Sequence, residues 1–328
     1  MSTEDFAGFS DQAIMFAGIV FVLAMLAHLA EWASSIARPA QSVARATVAA
    51  GGGTSVDEPA SAGEVSGDDA QRRALRIETA GRIGIALTVV ATALLLAGLV
   101  ARSFASEPAR VPWGNMYEFT LTGALGVAVI YLSLLSRLKL RWMGLFVTGF
   151  LVVVLMLANL TLEQAAGPLV PALHSYWLVV HVGAAILATG AFAVGALASV
   201  VFLIKERLQR SGSSRASGVL EMLPAADALD RLAYRLHAVG FPLWTFAALI
   251  AGPIWAEYAW GSYWNWDPKE VWAFITWVVY AAYLHARATA GWKGRAAAIL
   301  ALIGFATLLF NFVGINFFFG GGSMHSYA

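Results

Sequence analysis

The sequence predicts an all-α membrane protein, a polytopic helical bundle of about eight transmembrane helices with both termini on the extracytoplasmic side. Three observations predict it. Of 328 residues, 59% are hydrophobic and only 12% are charged, which is more apolar surface than a soluble domain hides. Apolar runs recur at the length a bilayer requires, about 20 residues. Lys and Arg gather on alternate connecting loops, as the positive-inside rule demands.

The first span is expected at 13–33. The chain before it, Met1 to Asp11, is acidic and lacks the basic region of a cleavable signal peptide, so this segment should be retained. Residues 34–82, rich in Ala, Gly, Ser and Asp, read as a flexible cytoplasmic linker. Gly51-Gly52-Gly53 has no Lys-Ser/Thr after it, so no phosphate loop is expected there. Spans two to five follow at 83–101, 117–136, 143–161 and 176–204, the third opening with Asn115 and Glu118 at capping-box spacing. Residues 205–237 alternate basic side chains with Leu220, Met222, Leu223, Leu229 and Leu232, the pattern of an amphipathic segment on the inner surface. The last block, 238–328, holds spans at 238–256, 271–287 and 296–318. With the N-terminus outside, every Lys and Arg falls on inner loops except Arg102, Arg110 and Lys269.

Cysteine is absent, which excludes disulfides, thiolate metal sites and thiol redox chemistry in this chain. If the protein acts on thiols, another protein supplies them. The spans contain very few acids, which argues against a proton-coupled carrier for a polar solute.

The densest stretch is Trp260 to Glu270, with Trp260, Tyr263, Trp264 and Trp266 close together on the outer side. Two readings remain open on the residues alone. One is an interfacial aromatic belt followed by a helix start, with Asp267 as N-cap, Pro268 at the first helical position and Glu270 closing a capping box. The other is a folded aromatic loop, with Gly261 and Asn265 between the rings, that holds a flat apolar ligand.

Six histidines are the strong ligands available. His181 and His325 lie on the same side as the aromatic stretch, where two imidazoles and an aromatic platform suit the axial ligands and stacking surface of a haem. His174 is also external. His285 follows Asp267 by eighteen residues, about 27 Å along a helix, towards the inner end of the seventh span. Ionisable groups at membrane depth are costly and are functional candidates, although a histidine near a helix end also serves as a dipole partner. His28 shares that status, and His237 at the inner mouth of the sixth span has a weaker claim.

Trp260-Gly-Ser-Tyr-Trp-Asn-Trp-Asp267 resembles the tryptophan-rich WWD signature of haem-handling membrane proteins. Together with Gly114-Asn-Met-Tyr-Glu-Phe119, Pro171-Ala-Leu-His-Ser-Tyr-Trp-Leu-Val-Val-His-Val182, Tyr283-Leu-His-Ala-Arg287 and Met324-His-Ser-Tyr-Ala328, it is similar to the CcsA (ResC) family of System II cytochrome c biogenesis. The resemblance covers nearly everything after about residue 80. It implies haem b as a bound substrate, His181 and His325 as outer iron ligands, and a haem platform of Trp260, Gly261, Trp264, Trp266 and Asp267. It further implies His285 as a membrane-embedded iron ligand paired with a histidine of a CcsB (ResB)-like membrane partner. The resemblance leaves His28 and His174 without roles. The implied function is a synthase subunit, active in complex with that partner. It would move haem to the outer face of the bacterial cytoplasmic membrane and position it for thioether attachment to the Cys-x-x-Cys-His motif of apocytochrome c. Thiol-reducing proteins are implied as further partners, and nucleic acid is not. The competing expectations are a haem exporter that delivers cofactor without catalysis, and a structural subunit whose tryptophans form only a belt.

Overall fold

The computed structural model describes residues 2–36, 67–168, 171–211, 217–319 and 323–325, and all regular structure among them is helical. The helices are α1 (Thr3–Ile36), α2 (Gly67–Ser103), α3 (Met116–Leu135), α4 (Gly144–Leu157), α5 (Tyr176–Ser211), α6 (Ser217–Met222), α7 (Ala226–Phe246), α8 (Gly252–Trp260), α9 (Pro268–Thr289), α10 (Arg295–Leu309) and α11 (Ile315–Phe318). Wide π turns at Ala247–Ala251 and Phe310–Gly314 join α7 to α8 and α10 to α11, so each pair runs on as one bent rod.

Seven helical segments among the described residues are long and apolar enough to cross a membrane, including the continuous Ala226–Trp260 and Arg295–Phe318 rods. The chain is a multi-pass membrane protein. The segment expected as a further span at 271–287 is helix α9, whose 22 residues give about 33 Å of length. It is less apolar than the seven, because Lys269, Glu270 and Arg287 sit near its ends and Trp, Tyr and Thr replace aliphatic residues along it. Of the linker expected over 34–82, residues 37–66 lie outside the described residues, and 67–82 are the first turns of α2. The stretch expected as an amphipathic segment at 205–237 is divided among the end of α5, α6 and the first half of α7, with Leu223 and Leu229 buried.

Two apolar cores share α5, the most enclosed span, with 67% of its most apolar stretch buried against 28 to 39% in the others. One core joins α1 to α5 around Ile14, Phe21, Leu95, Leu121, Tyr131 and Leu151. The second joins α5, α7, α9 and α10 around Phe192, Trp244, Tyr280 and Tyr283. Lipid offers no hydrophobic reward for helix association, so close backbone approach at small residues must supply it. A Cβ on Gly190 would lie 3.1 Å from the Gly126 carbonyl oxygen, which is why α3 and α5 meet there.

An ionic knot ties α1, α2 and α3 at the end of the bundle that carries the aromatic stretch. Glu118 is completely buried and accepts from Arg102 Nε at 3.0 Å, Arg110 Nη1 at 2.6 Å and Nη2 at 3.1 Å, and the Gly114 amide at 2.7 Å. Arg102 also donates to Asp11 and to the Gln164 carbonyl, and Arg110 to the Gly167 carbonyl. Asn115 caps α3 by accepting from the Glu118 amide at 2.9 Å. At the opposite end, Glu31 links His28 at 3.5 Å to Arg141 at 2.9 Å. The His28 ring fits there because Gly84 and Gly144 face it without side chains.

Candidate functional site

His181 lies in the second turn of α5. Its Nδ1 donates to the Ala247 carbonyl at 2.9 Å. That carbonyl belongs to the π turn ahead of Gly252 and Pro253, where the Gly252 amide also bonds back to Ala247. Proline removes a backbone donor and the wide turn redirects the carbonyls around it. Gly252 is required by the close approach, since a Cβ there would lie 3.1 Å from both His181 Nδ1 and the Ala247 oxygen. The His181 ring stacks on Trp255 of α8, with centroids 5.8 Å apart and planes 10° apart.

His325 reaches the same place from the C-terminal tail. Its Nδ1 donates to Asp267 Oδ1 at 3.0 Å, and its ring meets Trp255 at 5.4 Å and Trp260 at 4.6 Å, both edge-on. Asp267 starts α9 through a complete capping box with Glu270, as the residue pattern predicts. The same carboxylate also accepts from Ser323 Oγ at 2.9 Å and the Met324 amide at 2.6 Å. Burial by itself raises a carboxyl pKa. Here the hydrogen bond and charge of His325, with the Lys269 and Met324 amides, outweigh burial and hold Asp267 down at about 2.

Both imidazoles therefore present the same chemistry. An oxygen that only accepts fixes each Nδ1 as the N–H, so in the neutral ring Nε2 carries the lone pair. This is the arrangement in which a carbonyl or carboxylate orients a metal-ligating histidine. Among the described residues no three His, Cys, Asp or Glu side chains converge as a site for a bare metal ion. Two oriented nitrogens beside aromatic faces instead fit an iron whose other ligands come from a flat macrocycle. Among the described residues the Trp264 indole N–H is buried without a hydrogen-bond partner, as are that of Trp113 at the same end and the Tyr131 and Tyr280 hydroxyls within the bundle.

The other expected site residues are placed differently. Trp264 and Trp266 pack edge-to-face on each other at 5.9 Å, whereas among the described residues the rings that meet His181 and His325 are those of Trp255 and Trp260. Trp266 is 72% exposed and sits in the left-handed region at φ 56°, an uncommon conformation for a bulky side chain. Gly261, at φ 73°, ends α8 by donating its amide to the Glu257 carbonyl. His285 is exposed on the outward side of α9, and His174 is exposed at the start of α5. His237 is fully buried among Phe192, Tyr280 and Tyr283. Sequence reasoning missed Trp255, the ring that touches both imidazoles, because it lies inside an apolar run and reads as part of a span. The Gly252-Pro253 pair in mid-span was the available signal for it.

Residues 113–321 match the family model described as cytochrome C assembly protein. The chain is 36% identical to the cytochrome c biogenesis protein CcsA of Synechococcus sp. (strain JA-3-3Ab), over 76% of this chain and 84% of that protein. It is 35% identical to the CcsA of Porphyra purpurea, over 77% of this chain and 89% of that protein. With the CcsA of Synechococcus elongatus the identity is 38%, over 75% and 87% respectively.

Proposed function

The chain belongs to the cytochrome c assembly protein family and has a role in cytochrome c maturation, and from that premise we propose that it is the haem-handling subunit of a cytochrome c synthase. In this reading haem b is held at the aromatic end between His181 and His325, against Trp255 and Trp260, with Trp264 and Trp266 on the loop beside it. The observation that carries the reading is the shared orientation of the two histidines. Each offers Nε2 because an acceptor oxygen holds its Nδ1, and both rings meet at Trp255.

The chemistry implied is addition of each substrate thiol across a haem vinyl group. A carbon–sulfur bond forms, the thiol proton goes to the other vinyl carbon, and nothing is oxidised or reduced. His181 and His325 would keep the iron, and with it the macrocycle, at the aromatic end, where a bound peptide's thiols can be positioned against the vinyl groups, and positioning of that kind lowers the barrier to attack. The histidine of the Cys-x-x-Cys-His motif would then exchange for one axial ligand and favour release. The thiols arrive with apocytochrome c and must be kept reduced by other proteins, since this chain has no cysteine.

We place the aromatic end on the extracytoplasmic face, from the distribution of Lys and Arg over the loops. His285 projects outward from α9, which supports its service as an iron ligand shared with a CcsB-like partner at membrane depth. The deciding experiment is the visible spectrum of the detergent-purified protein, coexpressed with that partner, for the wild type and His181→Ala/His325→Ala. The expected result is a low-spin haem spectrum lost or turned high-spin in the double variant. No haem in the wild type, or an unchanged spectrum in the variant, removes both histidines from the ligand set.

A further inference from the structure

The two imidazoles are attached to the fold in different ways. His181 belongs to the second turn of α5, where its neighbours Leu178 and Val182 are buried in the apolar cluster around Trp255. Its ring is fixed by the Ala247 carbonyl and by the face of Trp255. The backbone that carries it cannot retreat, because α5 is packed in both cores.

His325 lies beyond α11, on residues 323–325, which belong to no helix. Those residues are held by polar bonds to the start of α9. Asp267 accepts from Ser323 Oγ, the Met324 amide and His325 Nδ1, and Lys269 Nζ donates to the His325 carbonyl at 3.2 Å. Water replaces bonds of this kind when they open, and a short terminal segment opens more readily than a packed span. His325 also borders the aromatic loop. Its ring meets Trp260, the last residue of α8, at 4.6 Å, and the loop that follows carries the exposed Tyr263 and Trp266.

We infer that His325 is the exchangeable ligand of the site and His181 the permanent one, so that the histidine of the Cys-x-x-Cys-His segment takes the place of His325 on the iron. This assignment rests on the haem reading proposed above and says which of its two histidines yields. One iron–nitrogen bond breaks as another of the same kind forms, and no electron moves. Undocking the tail opens a coordination position to the substrate's imidazole, while His181 keeps haem on the protein. Tail docking and substrate binding therefore compete, and anything that loosens the tail favours the substrate.

The test uses the full-length chain in complex with its membrane partner, loaded with haem, and an Ala-x-x-Ala-His peptide that supplies the substrate's imidazole without its thiols. The visible spectrum reports the spin state. In His325→Ala the haem should be high-spin, and the peptide should return it to low-spin. In His181→Ala the same peptide should leave it high-spin, although free imidazole restores both variants. Rescue of His181→Ala alone reverses the assignment, and equal rescue of both variants, or of neither, overturns it. The peptide should also bind His325→Ala about tenfold more tightly than the wild type, because no docked tail competes. Ser323→Ala keeps both imidazoles and loosens only the tail, so it should strengthen peptide binding about threefold. Unchanged or weaker binding there overturns the assignment even where the histidine variants fail to hold haem. Failure of the underlying haem reading is distinguishable: the wild type would then show no low-spin spectrum before any peptide is added.

Discussion

Asp267 performs two tasks with one carboxylate. It caps α9 through the Lys269 amide, and it docks the tail by accepting from Ser323, Met324 and His325. Asp267→Asn separates the two. Asparagine caps helices about as well as aspartate, so α9 should keep its helicity by circular dichroism. The tail should dock more weakly by about 1–3 kcal/mol, the loss expected when charged hydrogen bonds disappear from a buried site. Protease sensitivity of the C-terminus and the fraction of low-spin haem read that loss. The pH dependence has a definite sign. The Asp267 carboxyl is lowered from 3.8 to about 2 on folding, so its stabilisation is fully present above pH 3.8 and fades as pH falls towards 2. The carboxyl's own titration should therefore add no pH dependence to tail docking above about pH 5. Trp266 poses a different question at this scale. Its left-handed backbone costs on the order of 1 kcal/mol for a bulky residue, and its ring is largely exposed. Trp266→Gly should leave the melting temperature unchanged or raised while reducing haem retention, and a loss of both would make the ring structural instead.

At the scale of elements, the π turn between α7 and α8 is what connects a helix defect to the proposed ligand. Gly252→Ala places a methyl group against His181 Nδ1 and the Ala247 oxygen, whereas Gly18→Ala on α1 meets nothing within 4 Å. The first should shift haem from low-spin to high-spin with the protein still folded, and the second should be silent in both spectrum and thermal melt. The knot at Glu118 is the element-scale stability test. Glu118→Gln leaves two buried guanidinium groups facing a neutral amide, which should destabilise the α1–α3 corner by about 3–5 kcal/mol, read as a lower unfolding midpoint in detergent. Both N-caps were legible in sequence, Asn115 for α3 and Asp267 with its Glu270 box for α9, because a cap is decided within four residues; at α3 the Glu118 carboxylate takes the Gly114 amide and two arginines instead of closing the box on Asn115. The second tasks of Glu118 and Asp267 were not legible, because their partners lie up to 58 residues away.

At the scale of the whole molecule, the two proposed sites lie at opposite ends of α9. Asp267 and Lys269 serve the aromatic end, and His285 lies near the other end, on the outward face. If the partner completes a ligand pair there, His285→Ala should lower the haem that copurifies with the complex while leaving its assembly intact by size-exclusion chromatography. Unchanged haem would make His285 a surface residue. Covalent cytochrome formed by the purified complex from haem and reduced apoprotein would separate synthase from exporter, since an exporter yields none. Sequence alone determined the class of the molecule, the order of its spans and the identity of the imidazoles worth testing. Hydropathy over about 20 residues, loop charge and side-chain chemistry are local properties that need no fold to be read. Only the tertiary structure decided that Trp255 and not Trp264 or Trp266 touches both imidazoles, that a backbone carbonyl orients His181, and that Asp267 orients His325. Those contacts arise where a bent helix, a capped helix and a tail converge, and their geometry depends on packing between segments far apart in the chain.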